Sequence, residues 1–323
     1  MNPGKLDKII ASIFETEEMK NNPPVLIDIG ASGNIHASWK AIAPYSICIA
    51  FDADNREMGY IEKENAGYKK LIVINKLVSE LQTPAIDFYL TSSPFCSSSL
   101  PPDLEHLESY DCYSLFETLE KVSMPSVYLP DVFRQLNISK VDWYKSDSQG
   151  IDLRLFKSLD TGFSKKIMVA EFEPGIVDGY KNEDKLYSVL QYLHSLPFWV
   201  CRMEVKNLYR LHRRLHAGFN GAERKKIHRS LRTSPGWAEL TFLNTFTEPD
   251  LHSTRDLLLG WVLATLQGQH GFALEILEHE KSEAHAALFK RLKSFSREAL
   301  VHPIHDFRRR VINKIGRMLK KLE

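Results

Sequence analysis

Two short stretches of the sequence carry residues whose types and spacing suit the binding of a cofactor. The first contains Asp28 followed by Gly30 and Gly33, in the pattern Asp-x-Gly-x-x-Gly. Glycines at the end of a strand let the backbone approach a ligand that any Cβ atom would block. The second stretch ends in Asp52, whose carboxylate can accept hydrogen bonds from the two hydroxyls of a ribose. Together these residues favour a cofactor that contains a nucleoside.

The glycine spacing narrows the choice of cofactor. A dinucleotide fingerprint reads Gly-x-Gly-x-x-Gly and points a helix N-terminus at a pyrophosphate. In this chain a carboxylate, Asp28, stands just before the first glycine, where it would repel a pyrophosphate and attract an ammonium group. S-adenosylmethionine has an ammonium group, a ribose and no phosphate. We therefore expect S-adenosylmethionine; an ordinary strand, turn and helix of another α/β protein is the alternative.

A third group of polar residues follows a later strand-like run, 141–146. Lys145 and Asp147 are two positions apart and so point to the same side of a strand, and Gln149 and Gly150 come next. A lysine–aspartate pair at the tip of a central strand is a candidate for catalysis, and a solvated ion pair is the alternative. Glu171 lies at the end of a further apolar run and is a second candidate acid.

Apolar runs predict the strands that must position these side chains. Runs at 25–27 and 47–51, joined by a connection long enough for a helix, predict a parallel β-α-β unit that is buried on both faces. A short strand and then a helix with Pro130 in its first turn are predicted over 127–136. Other strand-like runs are 71–76, 86–91, 141–146, 166–172, 199–205 and 239–244. After the run 141–146, the spacing of Ile151, Leu155 and Leu159 predicts a helix with these residues on its buried face.

The carboxyl edge of such a sheet is where a ligand is expected to bind. At that edge Asn75 and Leu77 would lie beside an adenine. The segment 92–103, SSPFCSSSLPPD, is rich in serine and proline and predicts a loop. As a loop above the carboxyl edge it would line a substrate pocket, and a plain linker is the alternative. Its candidate substrate contacts are Ser97, Ser98 and Ser99, together with Gln149.

Composition excludes several functional classes. The 323 residues carry a formal net charge of +1, so no global field recruits nucleic acid. The four cysteines show no metal or disulfide spacing, and no cluster of His, Asp and Glu has ligand spacing, so we expect no metal. No apolar run approaches the roughly 18 residues of a membrane-spanning helix. We expect a cytoplasmic protein.

Three regions are predicted along the chain. Residues 1–22 predict an N-terminal cap helix, 23–248 an α/β domain and 249–323 a helical extension. The last helix, 306–323, has one apolar stripe and a surface of arginines and lysines. Docking on the domain is favoured, with self-association or peripheral contact with the inner membrane surface as alternatives. The basic tract 210–232 is interpreted as a solvated face.

Four blocks of the chain, in order, resemble the FkbM family of S-adenosylmethionine-dependent methyltransferases. They are IDIGASGNIHASW with IAFDADNREM, then LIVINKLVSE, FYLTSSPFCSSSLPPD and VDWYKSDSQGIDLRLFKSL, and they span about 25–173. The resemblance implies the Rossmann-like class I methyltransferase fold, a seven-stranded, mostly parallel sheet with an antiparallel last strand, here with a helical C-terminal extension. It also implies O-methylation of a hydroxyl on a small-molecule or glycan acceptor, such as a sugar or a polyketide-like metabolite.

Three positions depart from the family's pattern. Asn34 stands where the family often has a glycine, although asparagine tolerates a left-handed backbone. Asp52 replaces the commoner glutamate and is one methylene shorter. The sequence 157–159, Lys-Ser-Leu, replaces the family's usual Lys-Gly-Ala. These departures leave the cofactor site in place.

The resemblance also implies roles for individual residues. Asp147 is the first candidate for the base, with Lys145 placing it electrostatically, Glu171 in reserve and His36 less favoured. Asp28 would take the amino end of the cofactor, and Asp52 its ribose. The cofactor-binding set is Asp28, Gly30, Ala31, Ser32, Gly33, Asp52, Ala53, Asn75 and Leu77.

Two other functional classes stay open. One is a methyltransferase-like scaffold that has lost turnover and recruits partners or membrane through its basic tail. The other is a nicotinamide-dependent oxidoreductase, against which the missing Gly-x-Gly-x-x-Gly pattern argues. Binding of S-adenosylhomocysteine without methyl transfer would favour the scaffold, whereas binding of NAD would favour the oxidoreductase.

Overall fold

A computed structural model of the chain describes residues 3–31, 35–52, 67–248, 251–280 and 285–301. The strands in these ranges are β1 (Val25–Ile29), β2 (Ile47–Phe51), β3 (Lys70–Ile74), β4 (Leu77–Ser79), β5 (Ala85–Thr91), β6 (Thr118–Tyr128), β7 (Trp143–Ser146), β8 (Val169–Phe172), β9 (Phe198–Tyr209) and β10 (Thr233–Asn244). The α-helices are α1 (Pro3–Phe14), α2 (Glu17–Asn21), α3 (Leu104–Leu107), α4 (Leu129–Gln135), α5 (Asp152–Lys157), α6 (Thr161–Ser164), α7 (Leu186–His194), α8 (Arg213–Ala217), α9 (Gly221–Ser230), α10 (Thr254–Leu266), α11 (His270–Ile276) and α12 (Ala286–Val301).

Seven of the strands form one sheet in the order β3-β2-β1-β7-β8-β10-β9. Strands β3, β2, β1, β7 and β8 pair in parallel, and β10 is antiparallel to both of its neighbours. The prediction of a seven-stranded, mostly parallel sheet is confirmed. Every residue of β1 is buried, because helices cover both faces of a parallel sheet and only continuous apolar runs suit its centre.

The main core lies against the central strands. Ile27 pairs in register with Ile49 and Tyr144, and all three are completely buried. The helix predicted after β7 is shorter than its apolar pattern, but the three positions of that pattern, Ile151, Leu155 and Leu159, are buried as expected. Their packing fixes the direction in which the chain leaves the tip of β7.

A second, three-stranded sheet was not predicted. Its order is β4-β6-β5, with β4 parallel and β5 antiparallel to β6. The runs 86–91 and 127–136 contribute to this sheet, although helix α4 does begin with Pro130 in its first turn as predicted. Six of the eleven residues of β6 are exposed, and polar residues interrupt its apolar ones, so its sequence lacks a continuous apolar run.

The basic tract 210–232 forms two helices between β9 and β10. Helix α9 begins with a capping box in which Asn220 and Glu223 each bond to the backbone of the other. Arg213 and Arg214 of α8 are exposed. These placements agree with the interpretation of the tract as a solvated face.

The two ends of the chain form a compact unit of their own. This unit comprises Met1–Asn21 and His252–Glu323, whereas Asn22–Leu251 contains both sheets. In its described part α10 contacts α1, α2 and α11. Trp261 of α10 is completely buried and donates a 2.9 Å hydrogen bond to Ser296 of α12. Helices α1 and α2, which the sequence analysis set apart as a cap, therefore belong with the helical extension.

Several predicted features lie outside the described residues. They are the cofactor-loop residues Ser32 and Gly33, Asn34, Ala53 and the basic amphipathic helix 306–323. Within the described ranges, no helix combines the length and the apolar character that crossing a membrane requires.

Candidate functional site

A cavity of about 670 Å³ opens where the parallel strands end. Its floor is formed by Gly30 and Ala31 after β1, Asp52 after β2, Asp147 after β7 and Glu173 after β8. This is the edge at which parallel α/β sheets bind ligands, and the volume lies within the range of roughly 300–1,000 Å³ typical of such sites. The topology thus brings together residues that are far apart in the sequence.

The roof of the cavity comes from the second sheet and the serine-rich loop, 92–103. Leu77 and Val78 of β4 and Ile86 and Phe88 of β5 face the cavity. The serine-rich loop adds Ser93, Pro94, Phe95, Cys96, Ser97 and Ser99. The loop is therefore part of a ligand cavity, and the plain-linker alternative does not describe it.

Gly30 is required by the close approach of two strand tips. Its φ is +76°, and a Cβ atom built on it would lie 2.2 Å from the carbonyl oxygen of Asp147. The amide of Asp147 donates to the carbonyl of Ile29 at 3.0 Å, and the amide of Gly30 donates to that of Phe51 at 3.1 Å. The absence of a side chain at Gly30 thus allows Asp147 to lie directly against the turn that follows β1.

Asp28 lies beneath the cavity floor and does not line it. Its carboxylate is 2 % exposed and accepts a 2.8 Å hydrogen bond from the ammonium of Lys145 on the adjacent strand. Burial alone would lower the pKa of Lys145, but the carboxylates of Asp28 and Asp147 outweigh it and raise that pKa. This corrects the expectation that Asp28 binds an ammonium group of the cofactor, because Lys145 already supplies its cationic partner.

The pair belongs to a longer row of in-register residues. Asp28, Lys145, Glu171 and Thr241 stand opposite one another on β1, β7, β8 and β10, and we call them the ionic row. Thr241 donates a 3.1 Å hydrogen bond to Glu171. Burial raises the pKa of Glu171, against the opposing effect of Lys145. Glu171 does not line the cavity, which corrects its assignment as the reserve base.

Glu173, two residues further along, is the acid that β8 does present to the cavity. Its carboxylate accepts a hydrogen bond from the indole of Trp237, which also lines the cavity. Burial and then the neighbouring charge of Asp147 raise the pKa of Glu173 to about 9. Burial beside a second carboxylate thus favours the protonated form of Glu173.

Asp147 is held by a chain of hydrogen bonds. The amide of Gln149 donates to its Oδ1, and the hydroxyl of Tyr180 donates to Gln149 Oε1 at 3.0 Å and lies 2.9 Å from the carbonyl of Cys96. Gln149 has a φ of +57°, in the left-handed region that non-glycine residues seldom adopt. This strained backbone turns Gln149 back toward Asp147, and Tyr180 then fixes its amide.

Asp152 anchors the turn that carries Asp147, and the sequence analysis missed it. One carboxylate oxygen accepts hydrogen bonds from the hydroxyls of Ser146 and Ser148 and from the amide of Ser148, and the other accepts from the amide of Glu173. Burial raises the pKa of Asp152 to about 6, although its hydrogen bonds oppose the shift. Its only sequence signal was an acid at the start of a helix, which is common.

The remaining candidates divide between cavity and framework. Leu77 lines the cavity, whereas Asn75 is exposed and does not. Ser97 and Ser99 line it, but Ser98 is completely buried, donates to the carbonyl of Gln149 and accepts from an amide. The expectation that Asn75 and Ser98 contact a ligand is therefore wrong for this cavity, because neither residue lines it.

His36, the less favoured candidate base, also lies away from the cavity lining. Its ring packs edge-on against Trp39, with 5.8 Å between ring centroids. Burial and then the charge of Lys145 lower its pKa, so the ring is neutral at physiological pH. The structure gives His36 a packing role.

The lining of the cavity is acidic. Its charged side chains in the described ranges are Asp52, Asp147, Glu173, Glu183 and Glu239, with Lys76 as the cation. Glu183 is bonded to Lys185, and Glu239 forms a 2.9 Å ion pair with Lys206. Within these ranges acidic side chains therefore outnumber basic ones in the lining.

In the part of the chain that the structure describes, no group of three or more His, Cys, Asp or Glu side chains is arranged to hold a metal ion. Comparisons with protein-family models, with curated protein sequences and with solved structures find no match to this chain. The resemblance to FkbM methyltransferases therefore stays a prediction, and the geometry of the cavity carries the functional argument.

Proposed function

We propose that the protein is an S-adenosylmethionine-dependent methyltransferase that transfers a methyl group to a hydroxyl. The observation that carries the proposal is the acidic cavity at the carboxyl ends of β1, β2 and β7, which Asp52 lines at the tip of β2. The seven-stranded sheet with its antiparallel last strand agrees with the class I fold that the resemblance implied.

The charge of the cavity distinguishes between nucleoside cofactors. S-adenosylmethionine carries a sulfonium and an ammonium, and carboxylates at Asp52 and Asp147 favour both. NAD carries two phosphates, which the same carboxylates would repel. Because Lys145 already pairs with Asp28, the ammonium needs other hydrogen-bond acceptors, and the Gly30–Ala31 backbone lines the cavity directly after β1. The residues present thus fit the sulfonium cofactor.

The chemistry requires an acceptor oxygen close to an electrophilic methyl group, which bound S-adenosylmethionine supplies, and a group that takes the hydroxyl proton. Asp147 is the carboxylate placed for that proton. Gln149 and Tyr180 hold its orientation, whereas the neighbouring Glu173 has a raised pKa that favours its protonated form. The second sheet and the serine-rich loop form a roof over the cavity that would shield the reaction from water.

Calorimetric titration with S-adenosylhomocysteine, alongside NAD, tests the proposal directly. We expect micromolar binding of S-adenosylhomocysteine and none of NAD. Asp52→Asn should weaken S-adenosylhomocysteine binding by more than about tenfold, the loss expected for a charge-assisted pair of hydrogen bonds. Asp87→Asn is the matched control, because Asp87 is an exposed carboxylate paired with Lys121 and lies outside the cavity.

The alternatives predict different titrations. Binding of NAD alone would establish the nicotinamide-dependent oxidoreductase in place of the methyltransferase. Binding of neither would leave the scaffold as the leading function. Equal affinities of the Asp52→Asn variant and the wild-type protein would remove Asp52 from the ribose site.

A further inference from the structure

The cavity changes character away from the strand tips. Besides the carboxylates of its floor, the cavity is lined by many apolar side chains. They include Ile86, Phe88, Leu107, Phe116, Val177 and Leu208. An acceptor that entered this part of the cavity would therefore leave water for apolar side chains rather than for hydrogen-bonding groups.

Two large apolar side chains stand at the mouth of the cavity, and we call them the apolar rim. Phe95 is 65 % exposed and Leu115 is 47 % exposed, yet both line the cavity. The backbone brings them together, because the amide of Ser93 donates to the carbonyl of Leu115 at 3.0 Å and Phe95 lies in the following turn, Pro94–Cys96. Exposed apolar side chains that adjoin a cavity mark a binding surface.

The serines expected to bind a sugar are largely used by the loop itself. Ser97 Oγ accepts a hydrogen bond from the amide of Thr91 at 3.1 Å and lies 3.3 Å from the hydroxyl of Thr91. The hydroxyl of Ser98 donates to the carbonyl of Gln149. A bare sugar would bring several hydroxyls against apolar walls, and each unpaired buried hydroxyl costs free energy.

We propose that the methyl acceptor is an amphiphilic alcohol: its hydroxyl binds at Asp147, and an apolar extension of it lies along the cavity walls and leaves between Phe95 and Leu115. This inference rests on the proposed function and names the acceptor class within it. It selects against a free sugar, because much of the cavity lining is apolar and the hydroxyls of Ser97 and Ser98 are already bonded within the protein. The apolar rim then sets specificity for the extension, and Asp147 for the reacting oxygen.

Alkyl glucosides separate the two parts of the acceptor, since methyl, hexyl and octyl β-glucoside share one sugar and differ only in their chains. Calorimetry with the full chain, with and without S-adenosylhomocysteine, would measure their affinities below the micelle concentration. Each buried methylene should strengthen binding about threefold to fourfold, so octyl glucoside should bind at least tenfold more tightly than hexyl glucoside. Phe95→Ala with Leu115→Ala should weaken octyl glucoside binding at least tenfold and leave S-adenosylhomocysteine binding unchanged.

Leu119→Ala is the matched control. Leu119 is 68 % exposed on β6, close in sequence to Leu115, but it does not line the cavity. The control variant should bind octyl glucoside as the wild-type protein does. The inference would be overturned if the affinity for the glucosides did not depend on chain length, or if no glucoside bound. It would also be overturned if Leu119→Ala weakened octyl glucoside binding as much as the rim variant does. Failure of S-adenosylhomocysteine to bind would instead overturn the proposed function. The two failures can be distinguished because the glucoside affinities are also measured without S-adenosylhomocysteine.

Discussion

Replacement of Gly30 by alanine would act on the contact that seats Asp147. The new Cβ atom would lie 2.2 Å from the carbonyl oxygen of Asp147, whereas real Cβ contacts essentially never fall below 3.0 Å. The tips of β1 and β7 must then separate by about 0.8 Å. The φ of +76° adds roughly 1–2 kcal/mol of left-handed strain for alanine. A displacement of about 1 Å at a reacting group can lower a rate about 100-fold.

Gly268→Ala is the matched control for backbone strain. Gly268 has a nearly equal φ of +72°, but nothing lies within 4 Å of a Cβ atom built there. Both variants would therefore lose the left-handed preference of glycine, and only Gly30→Ala would displace Asp147. Urea unfolding measures the strain in both variants. Calorimetry with S-adenosylhomocysteine and single-turnover methyl transfer measure the displacement.

We expect Gly268→Ala to lose about 1 kcal/mol of stability and to bind S-adenosylhomocysteine normally. Gly30→Ala should lose clearly more stability, weaken cofactor binding and slow transfer by about two orders of magnitude. If Gly30→Ala were no less stable than Gly268→Ala and bound the cofactor normally, the contact between the two strand tips would not position the site.

Three further predictions concern the carboxylates and their partners. Asp147→Asn should keep nearly full affinity for S-adenosylhomocysteine in calorimetry and abolish transfer to whichever alcohol the wild-type protein methylates; normal turnover would remove Asp147 as the base. Because burial raises the folded-state pKa of Glu173 above its unfolded value of 4.5 to about 9, stability should fall as pH rises through that window. The urea unfolding midpoint should fall less with rising pH in Glu173→Gln than in the wild-type protein. The same pH dependence in both proteins would contradict the raised pKa of Glu173. Lys145→Met should cost about 3–5 kcal/mol because it leaves Asp28 buried and unpaired, whereas Lys121→Met, in an exposed pair, should change the free energy of unfolding far less in the same assay.

Strands that are buried on both faces, such as β1 and β2, were predictable because such strands consist of continuous apolar runs. The run 47–51 matches β2 to the residue, and Ile151, Leu155 and Leu159 occupy the core as their spacing predicted. Strand β6 was not predictable in this way. It contains no continuous apolar run that would mark it as a strand. Its pairing with β4 and β5 depends on contacts between distant parts of the chain.

For the candidate site, the sequence identified the strand tips but could not separate the residues that face the cavity from those beneath it. In the sequence, Asp28 and Asp147 are both acidic residues at the ends of predicted strands. Register decides between them, since Asp28 stands opposite Lys145 on the neighbouring strand and pairs with it. The sequence analysis named Glu171 as the reserve base, but Glu173 is the residue that lines the cavity. Strand β8 ends at Phe172, so Glu171 lies within the strand and Glu173 lies just beyond it.

By itself the sequence determined the parallel sheet, the polar residues at its carboxyl edge and the serine-rich loop above that edge. These follow from local composition and from the rule that parallel strands end together. Only the tertiary structure decided that Lys145 neutralises Asp28, that Glu173 lies beside Asp147 and that Phe95 and Leu115 both line the cavity. Each of these depends on the distance between residues far apart in the chain, and a pairing of that kind leaves no pattern in either segment alone.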